Sequence, residues 1–207
     1  DGPPGVERRG APGLPAGTPY RIERLLLTTR PDVAVPANLY LPLGEAPEGG
    51  RPAVLFLCGH GAQAKAEPDY QRACGAFAAQ GYVVLSFDPI GQEERHSYLD
   101  GDRHAVPPGT PEHTYAGLPC WWAGLSPARY FVDDARRALD HLLTREDVDP
   151  ARVVATGSSG GGMLTTLLMA LEPRLAGAAP ATYVTSREAY LPTGGRQDAE
   201  QILLGRT

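Results

Sequence analysis

The residues best placed to do chemistry lie in the run from Val153 to Gly162 (VVATGSSGGG), which contains the pattern G-x-S-x-G centred on Ser159. A serine hydroxyl becomes a useful nucleophile when it is held exposed on a sharp strand-to-helix turn. Backbone N–H groups nearby then meet the negative charge that develops on an attacked carbonyl. So sharp a turn strains the backbone, and side chains two residues before and after the serine would collide. Gly157 and Gly161 remove those side chains. Gly160 presents its N–H at a helix N-terminus, where negative charge is also favoured. Two other Gly-rich chemistries fail on the same residues. A dinucleotide fingerprint starting at Thr156 requires glycine where Met163 stands, and its tyrosine–lysine pair fails because Lys65 follows Gly61 at that spacing. A phosphate loop requires Gly-Lys-Ser/Thr, whereas Lys65, the single lysine, lies between two alanines.

A second cluster, Cys58-Gly59-His60-Gly61-Ala62, follows an apolar run directly. His60 is a base by residue type, but its place in a loop at a strand end fits loop support better. Trp121 and Trp122, with Tyr115, offer either the lining of an acyl or sugar pocket or packing beneath a long loop. DGDRH (100–104) carries oxygen ligands without the rest of a calcium loop, so it reads as solvated loop. Cys58, Cys74 and Cys120 form neither a zinc pattern nor a disulfide framework. No metal or organic cofactor is implied. Glu172 and Asp198 follow Ser159, yet nothing marks either as an acid partner. Arg136 and Arg137 read as a solvated helix face.

The elements that must position these groups alternate between strand and helix. Residues 1–19 are rich in Pro and Gly without periodicity and read as a flexible arm; 20–207 read as one domain. RIERLLLTT (21–29) and VAVPANLYLP (33–42) form an opening antiparallel hairpin, with Pro36 suggesting an edge position. AVLFLCG (53–59) and YVVLSFD (82–88) are continuous apolar runs, as strands covered on both faces require. Between them the spacing predicts a helix over 69–80 closed by Gly81. The stretch 89–126 lacks a regular period and reads as a long loop on the active-site side. Ser126-Pro127 then starts a helix whose apolar residues run from Ala128 through Phe131, Ala135 and Leu139 to Leu142. Strand 152–157, helix 161–172 and a last strand-like run 176–184 complete an α/β pattern, a mostly parallel sheet with helices on both faces.

Composition narrows the function classes. The 207 residues suffice for one domain with its own core. A net charge of −5 argues against nucleic acid, which favours a basic partner. No apolar run reaches the ~18–20 residues of a membrane helix. Asp1 in place of an initiating Met leaves room for an export signal or a longer start.

In combination these segments resemble the bacterial α/β-hydrolase group that includes acetylxylan-esterase-like and dienelactone-hydrolase-related esterases. The matching residues are GHG (59–61) with nearby Lys65, FDPIGQEER (87–95), the run 129–162, LEPRLAGAAPATYVTS (171–186) and QDAEQ (197–201). Glu93 stands where such proteins usually have glycine. The resemblance implies the α/β-hydrolase fold, here ending after the strand that follows the nucleophile helix. It makes Gly61 and Ala62 backbone oxyanion donors beside Gly160, and places Arg95 at the site rim. It implies a soluble, secreted or periplasmic hydrolase of acetyl or carbohydrate esters. In this fold the triad runs Ser, then Asp or Glu, then His. His60, His96, His104, His113 and His141 all precede Ser159, so acid and base are expected from a complementing C-terminal portion or an oligomeric partner. The rival reading is a non-catalytic interaction module that retains the frame.

Overall fold

In the computed structural model, residues 5–104, 110–194 and 198–202 are described. Residues 1–4 of the N-terminal arm, 105–109 of the long loop and Gln197 of the QDAEQ segment lie outside them. Seven strands form one sheet: β1 (Gly5–Arg8), β2 (Tyr20–Arg30), β3 (Val33–Pro42), β4 (Arg51–Leu57), β5 (Val83–Phe87), β6 (Val148–Ser158) and β7 (Gly177–Ala181). Their order is β1-β2-β3-β5-β4-β6-β7. The β1–β2, β2–β3 and β3–β5 pairs are antiparallel; β5–β4, β4–β6 and β6–β7 are parallel.

The hydrophobic runs explain this order. Every residue of β5 and the last five of β4 are buried, because helices cover both faces. On one face α1 (Pro68–Ala79) sets Cys74 and Ala78 against Val54, Phe56 and Val84. On the other, α3 (Ala128–Leu143) and α4 (Gly160–Leu171) bring Phe131, Ala135, Leu139, Leu142, Leu164 and Leu168 onto Leu39, Leu55 and Leu85. Gly81, at φ +97°, turns the chain out of α1 as its place in the sequence suggested. Ser126 Oγ accepts a hydrogen bond from the Ala128 N–H at 3.3 Å at the start of α3.

Three expectations change. Residues 5–8 of the supposed flexible arm pair with β2 as an edge strand. Four residues with one apolar side chain carry no legible period; backbone pairing and the Arg8–Glu23 ion pair at 3.3 Å hold them. Pro36 is not on an edge strand, since β3 lies between β2 and β5. The β3–β5 ladder starts one residue later, at Ala37↔Phe87, and the Pro36 carbonyl accepts the Asp88 N–H at 3.0 Å, so the missing N–H breaks no rung there. The long loop 89–126 contains a helix, α2 (Thr110–Trp122). Its buried residues are Glu112, His113 and Gly117, a polar face that no hydrophobic periodicity announces.

Candidate active site

The C-terminal ends of the parallel strands converge, the usual place for a site in an open α/β sheet. Leu57 lies opposite Gly157 in one ladder and Phe87 in the other, so the segments after β4, β5 and β6 begin side by side. Ser159 follows β6 and precedes α4, exposed, with φ +57° and ψ −117°. Such a conformation costs on the order of 1–3 kcal/mol for a residue with a side chain and persists only where its surroundings enforce it.

Those surroundings are specific. A Cβ on Gly157 would lie 2.8 Å from the Gly161 carbonyl carbon, and one on Gly161 would lie 2.7 Å from that of Leu57. The Leu57 carbonyl oxygen is closer still in both cases. The glycines are therefore required less by each other's side chains than by the end of β4. Gly160 has a separate reason: its Cβ would lie 2.5 Å from His60 Nε2. The Ser159 N–H is held by the Ala181 carbonyl at 3.1 Å and the Thr182 hydroxyl at 2.9 Å. Thr182 itself sits at φ +54° and shares a 2.8 Å hydrogen bond with Ser158.

The loop after β4 is clamped from beneath. The fully buried Gln92 donates its amide to the carbonyls of Gly59 (2.8 Å) and Gly61 (2.5 Å). The Gly61 carbonyl, turned inward, points the Ala62 N–H of the same peptide the other way; among the described residues neither that N–H nor those of Gly61 and Gly160 has a protein acceptor. Lys65, also buried, bonds Asp88 at 2.6 Å, Glu93 at 3.2 Å and Glu94 at 2.5 Å. Burial disfavours its charge, but the bonds to Asp88 and then Glu94 outweigh that and raise its pKa. Glu93 stands at φ +49°, the left-handed region that glycine enters without strain.

His60 is fixed by carboxylates on both sides, with Nε2 2.5 Å from Glu200 and Nδ1 3.4 Å from Asp198. Both nitrogens thus face carboxylates, and neither is hydrogen-bonded to Ser159 among the described residues. His113 is buried between Glu200 (3.0 Å) and the Ile90 carbonyl (2.6 Å). His96 and His104 pair with Glu112 and Asp100. His141, whose pKa burial and then Arg145 lower to about 4, lies in α3. No hydrogen bond joins a histidine to Ser159 among the described residues.

A cavity of about 620 Å³ opens at Ser159, lined by Thr166, Thr182, Tyr183, Tyr190, Asp198 and Gln201 among others. Arg95, expected at the rim, turns away from it. Its guanidinium donates to the Asp88 carbonyl (3.1 Å) and to buried Asp134 (2.8 Å), a carboxylate that Arg30 also pairs at 3.0 Å. Trp121 and Trp122 do not line this cavity either, and Trp122 is 84% exposed. Sequence reasoning missed Gln92, Thr182, His113 and Glu200 as site components. Gln92, Thr182 and Glu200 lay within quoted motifs, but only folding shows what they touch.

A sequence model of the acetyl xylan esterase (AXE1) family matches residues 24–186. The chain belongs to this family. It is 29% identical over 164 residues to YtaP of Bacillus subtilis, covering 74% of this chain and 50% of that protein. The acetyl xylan esterase of a Paenibacillus species superposes with a TM-score of 0.68 at 19% identity, over 94% of this chain and 59% of its own. Acetyl xylan esterase 1 of a Thermoanaerobacterium species gives 0.68 at 20%, over 96% and 59%. The family member described here thus spans between half and three-fifths of these relatives' length, and its α/β-hydrolase fold is shared with the solved ones. Among its described residues no helix is long and apolar enough to cross a membrane.

Proposed function

We propose that this chain carries the nucleophile of a serine ester hydrolase that acts on acetylated carbohydrate through an acyl-enzyme at Ser159. The observation that carries the reading is the strained, exposed Ser159 between β6 and α4, beside a cavity of about 620 Å³. Its hydroxyl attacks the ester carbonyl, and the oxyanion is met by the Gly160 N–H with that of Gly61 or Ala62. A histidine from outside these residues accepts the serine proton and returns it to the leaving alcohol; water then releases acetate by the same steps. The relatives' descriptions as acetyl xylan esterases support the substrate class. A non-catalytic binding protein is the alternative, favoured by the lack, among the described residues, of a histidine hydrogen-bonded to Ser159 and opposed by the strain held there.

A fluorophosphonate probe applied to the complete protein decides between them. The expected result is a single label on Ser159, lost in Ser159→Ala together with p-nitrophenyl acetate turnover. A label on Ser158 or Ser126, or turnover that survives Ser159→Ala, overturns the assignment. Residues 1–207 alone are expected to turn over poorly, since loss of the base costs about 10⁴–10⁶ in rate.

A further inference from the structure

The geometry points to Glu200 and His113 as positioning residues for the nucleophile turn, acting through His60. This rests on the reading of Ser159 above. The Glu200 carboxylate has no exposed surface and divides its oxygens between two imidazoles: Oε1 takes His60 Nε2 at 2.5 Å and Oε2 takes His113 Nδ1 at 3.0 Å. The second nitrogen of His113 faces the Ile90 carbonyl at 2.6 Å. A carbonyl oxygen only accepts, and so does an ionised carboxylate, so both nitrogens of His113 carry protons. Burial opposes that charge, but the hydrogen bond and charge of Glu200 outweigh it, and the His113 pKa is raised. The His113 ring is further wedged edge-on between His60 and Phe131, with centroids 5.5 and 5.1 Å away.

The network joins four separate segments: the turn Ala199–Gln201, helix α2, the loop after β5 and the loop after β4. Its output is the place of the His60 ring. Nε2 and Cε1 of that ring would lie 2.5 and 2.6 Å from a Cβ on Gly160, so the imidazole rests directly on the residue that follows the nucleophile. Fixing the ring limits how far the first turn of α4, and the Gly160 N–H with it, can move toward the loop after β4.

The side chains also resemble a metal site, since the ligand atoms of His60, His113 and Glu200 lie within 4.8 Å of one another. The distances argue for hydrogen bonding instead. Two ligands on a tetrahedral ion with bonds of about 2.0 Å stand roughly 3.3 Å apart, whereas His60 and Glu200 approach to 2.5 Å. Buried charges of this kind are an expensive way to fill space. What they provide here is direction: a donor–acceptor chain holds a ring at one angle, where apolar packing would tolerate several.

The test uses the complete protein with Glu200→Gln, Glu200→Asp and His113→Asn. Readouts are kcat and KM for p-nitrophenyl acetate, and the rate of Ser159 labelling by a fluorophosphonate. Glu200→Gln is expected to lower kcat and labelling about tenfold or more, with KM changed less than about twofold, because slight misplacement at a reacting centre is costly. Glu200→Asp is expected to recover part of the loss. A folded Glu200→Gln variant with parental kcat and labelling overturns the proposal. If that variant does not fold, His113→Asn with the same readouts decides. Imidazole NMR of the parent is expected to show both nitrogens of His113 protonated at pH 7, and a neutral ring there also overturns the proposal. A parent protein that is not labelled at Ser159 refutes the esterase reading instead, so the two failures are distinct.

Discussion

Replacing Gly161 by alanine sets two well-calibrated effects against each other. Gly161 lies in the first turn of α4 and its φ is outside the left-handed region, so alanine fits the backbone. Helix propensity alone then predicts a gain of up to about 1 kcal/mol. The contact predicts a loss. The new methyl would lie 2.7 Å from the Leu57 carbonyl carbon and 3.0 Å from that of Cys58, with the Leu57 oxygen nearer. All three atoms are backbone at the end of β4, which is paired on both sides to β5 and β6 and cannot rotate away. Ordinary contact therefore requires α4 to retreat by about 1 Å, and overpacking of this kind costs roughly 1–3 kcal/mol, sometimes more. The net expectation is a loss of about 1–2 kcal/mol, or a urea midpoint lowered by about 0.5–1 M for a slope near 2 kcal/mol/M. Gly177→Ala in β7 is the control, because its methyl would meet only Val154 Cγ1 at 3.7 Å. Urea melts of the two variants beside the parent make the measurement. If Gly161→Ala is as stable as the parent, or more so, the end of β4 does not press on the turn, and the steric account of the glycines fails.

Other substitutions test neighbouring parts. Glu93→Gly relieves a left-handed residue and loses only the 3.2 Å contact to Lys65, so a stability gain of up to about 1 kcal/mol is expected in urea melts. A loss greater than that would show that the ion pair dominates. Lys65→Met strands the buried Asp88 carboxylate and is expected to cost about 3–5 kcal/mol. Adding Asp88→Asn should return much of it, and a double variant no better than the single would contradict the pairing. Stability should also vary with pH on both sides of neutrality. Burial disfavours the Glu200 charge, but hydrogen bonds from His113 and then His60 win and hold its pKa down from 4.5 to about 2. Its contribution is complete above about pH 4.5 and disappears as the pH falls through 2. His113, raised from 6.5, contributes fully below that value and loses its contribution as the pH rises through its folded pKa. Denaturation midpoints measured across pH should show Glu200→Gln flattening the acid limb; an unchanged limb would refute this assignment.

Much of the frame was legible in the chain because it depends on local patterns. Continuous apolar runs gave β4 and β5, three-to-four spacing gave α3, and glycines flanking Ser159 gave the turn between β6 and α4. Each of these signals lies within a stretch of at most sixteen residues, so one sequence window contains it. The helix α2 escaped because what it buries is Glu112 and His113, whose partners lie in other segments. The edge strand β1 escaped because pairing with β2 needs backbone atoms only.

What sequence alone determined is that Ser159 sits on a strained strand-to-helix turn, for the local reason that glycines stand where side chains cannot. Which atoms demand those glycines was decided by tertiary structure: the Leu57 carbonyl for Gly157 and Gly161, and the His60 ring for Gly160. Arg95 likewise looked like a rim residue in its motif, and became a half-buried partner of buried Asp134 once α3 packed beside it. The His60–Glu200 pair joins residues 140 positions apart. A hydrogen bond over that separation leaves no trace in spacing or periodicity, because the sheet and its loops bring the two groups together.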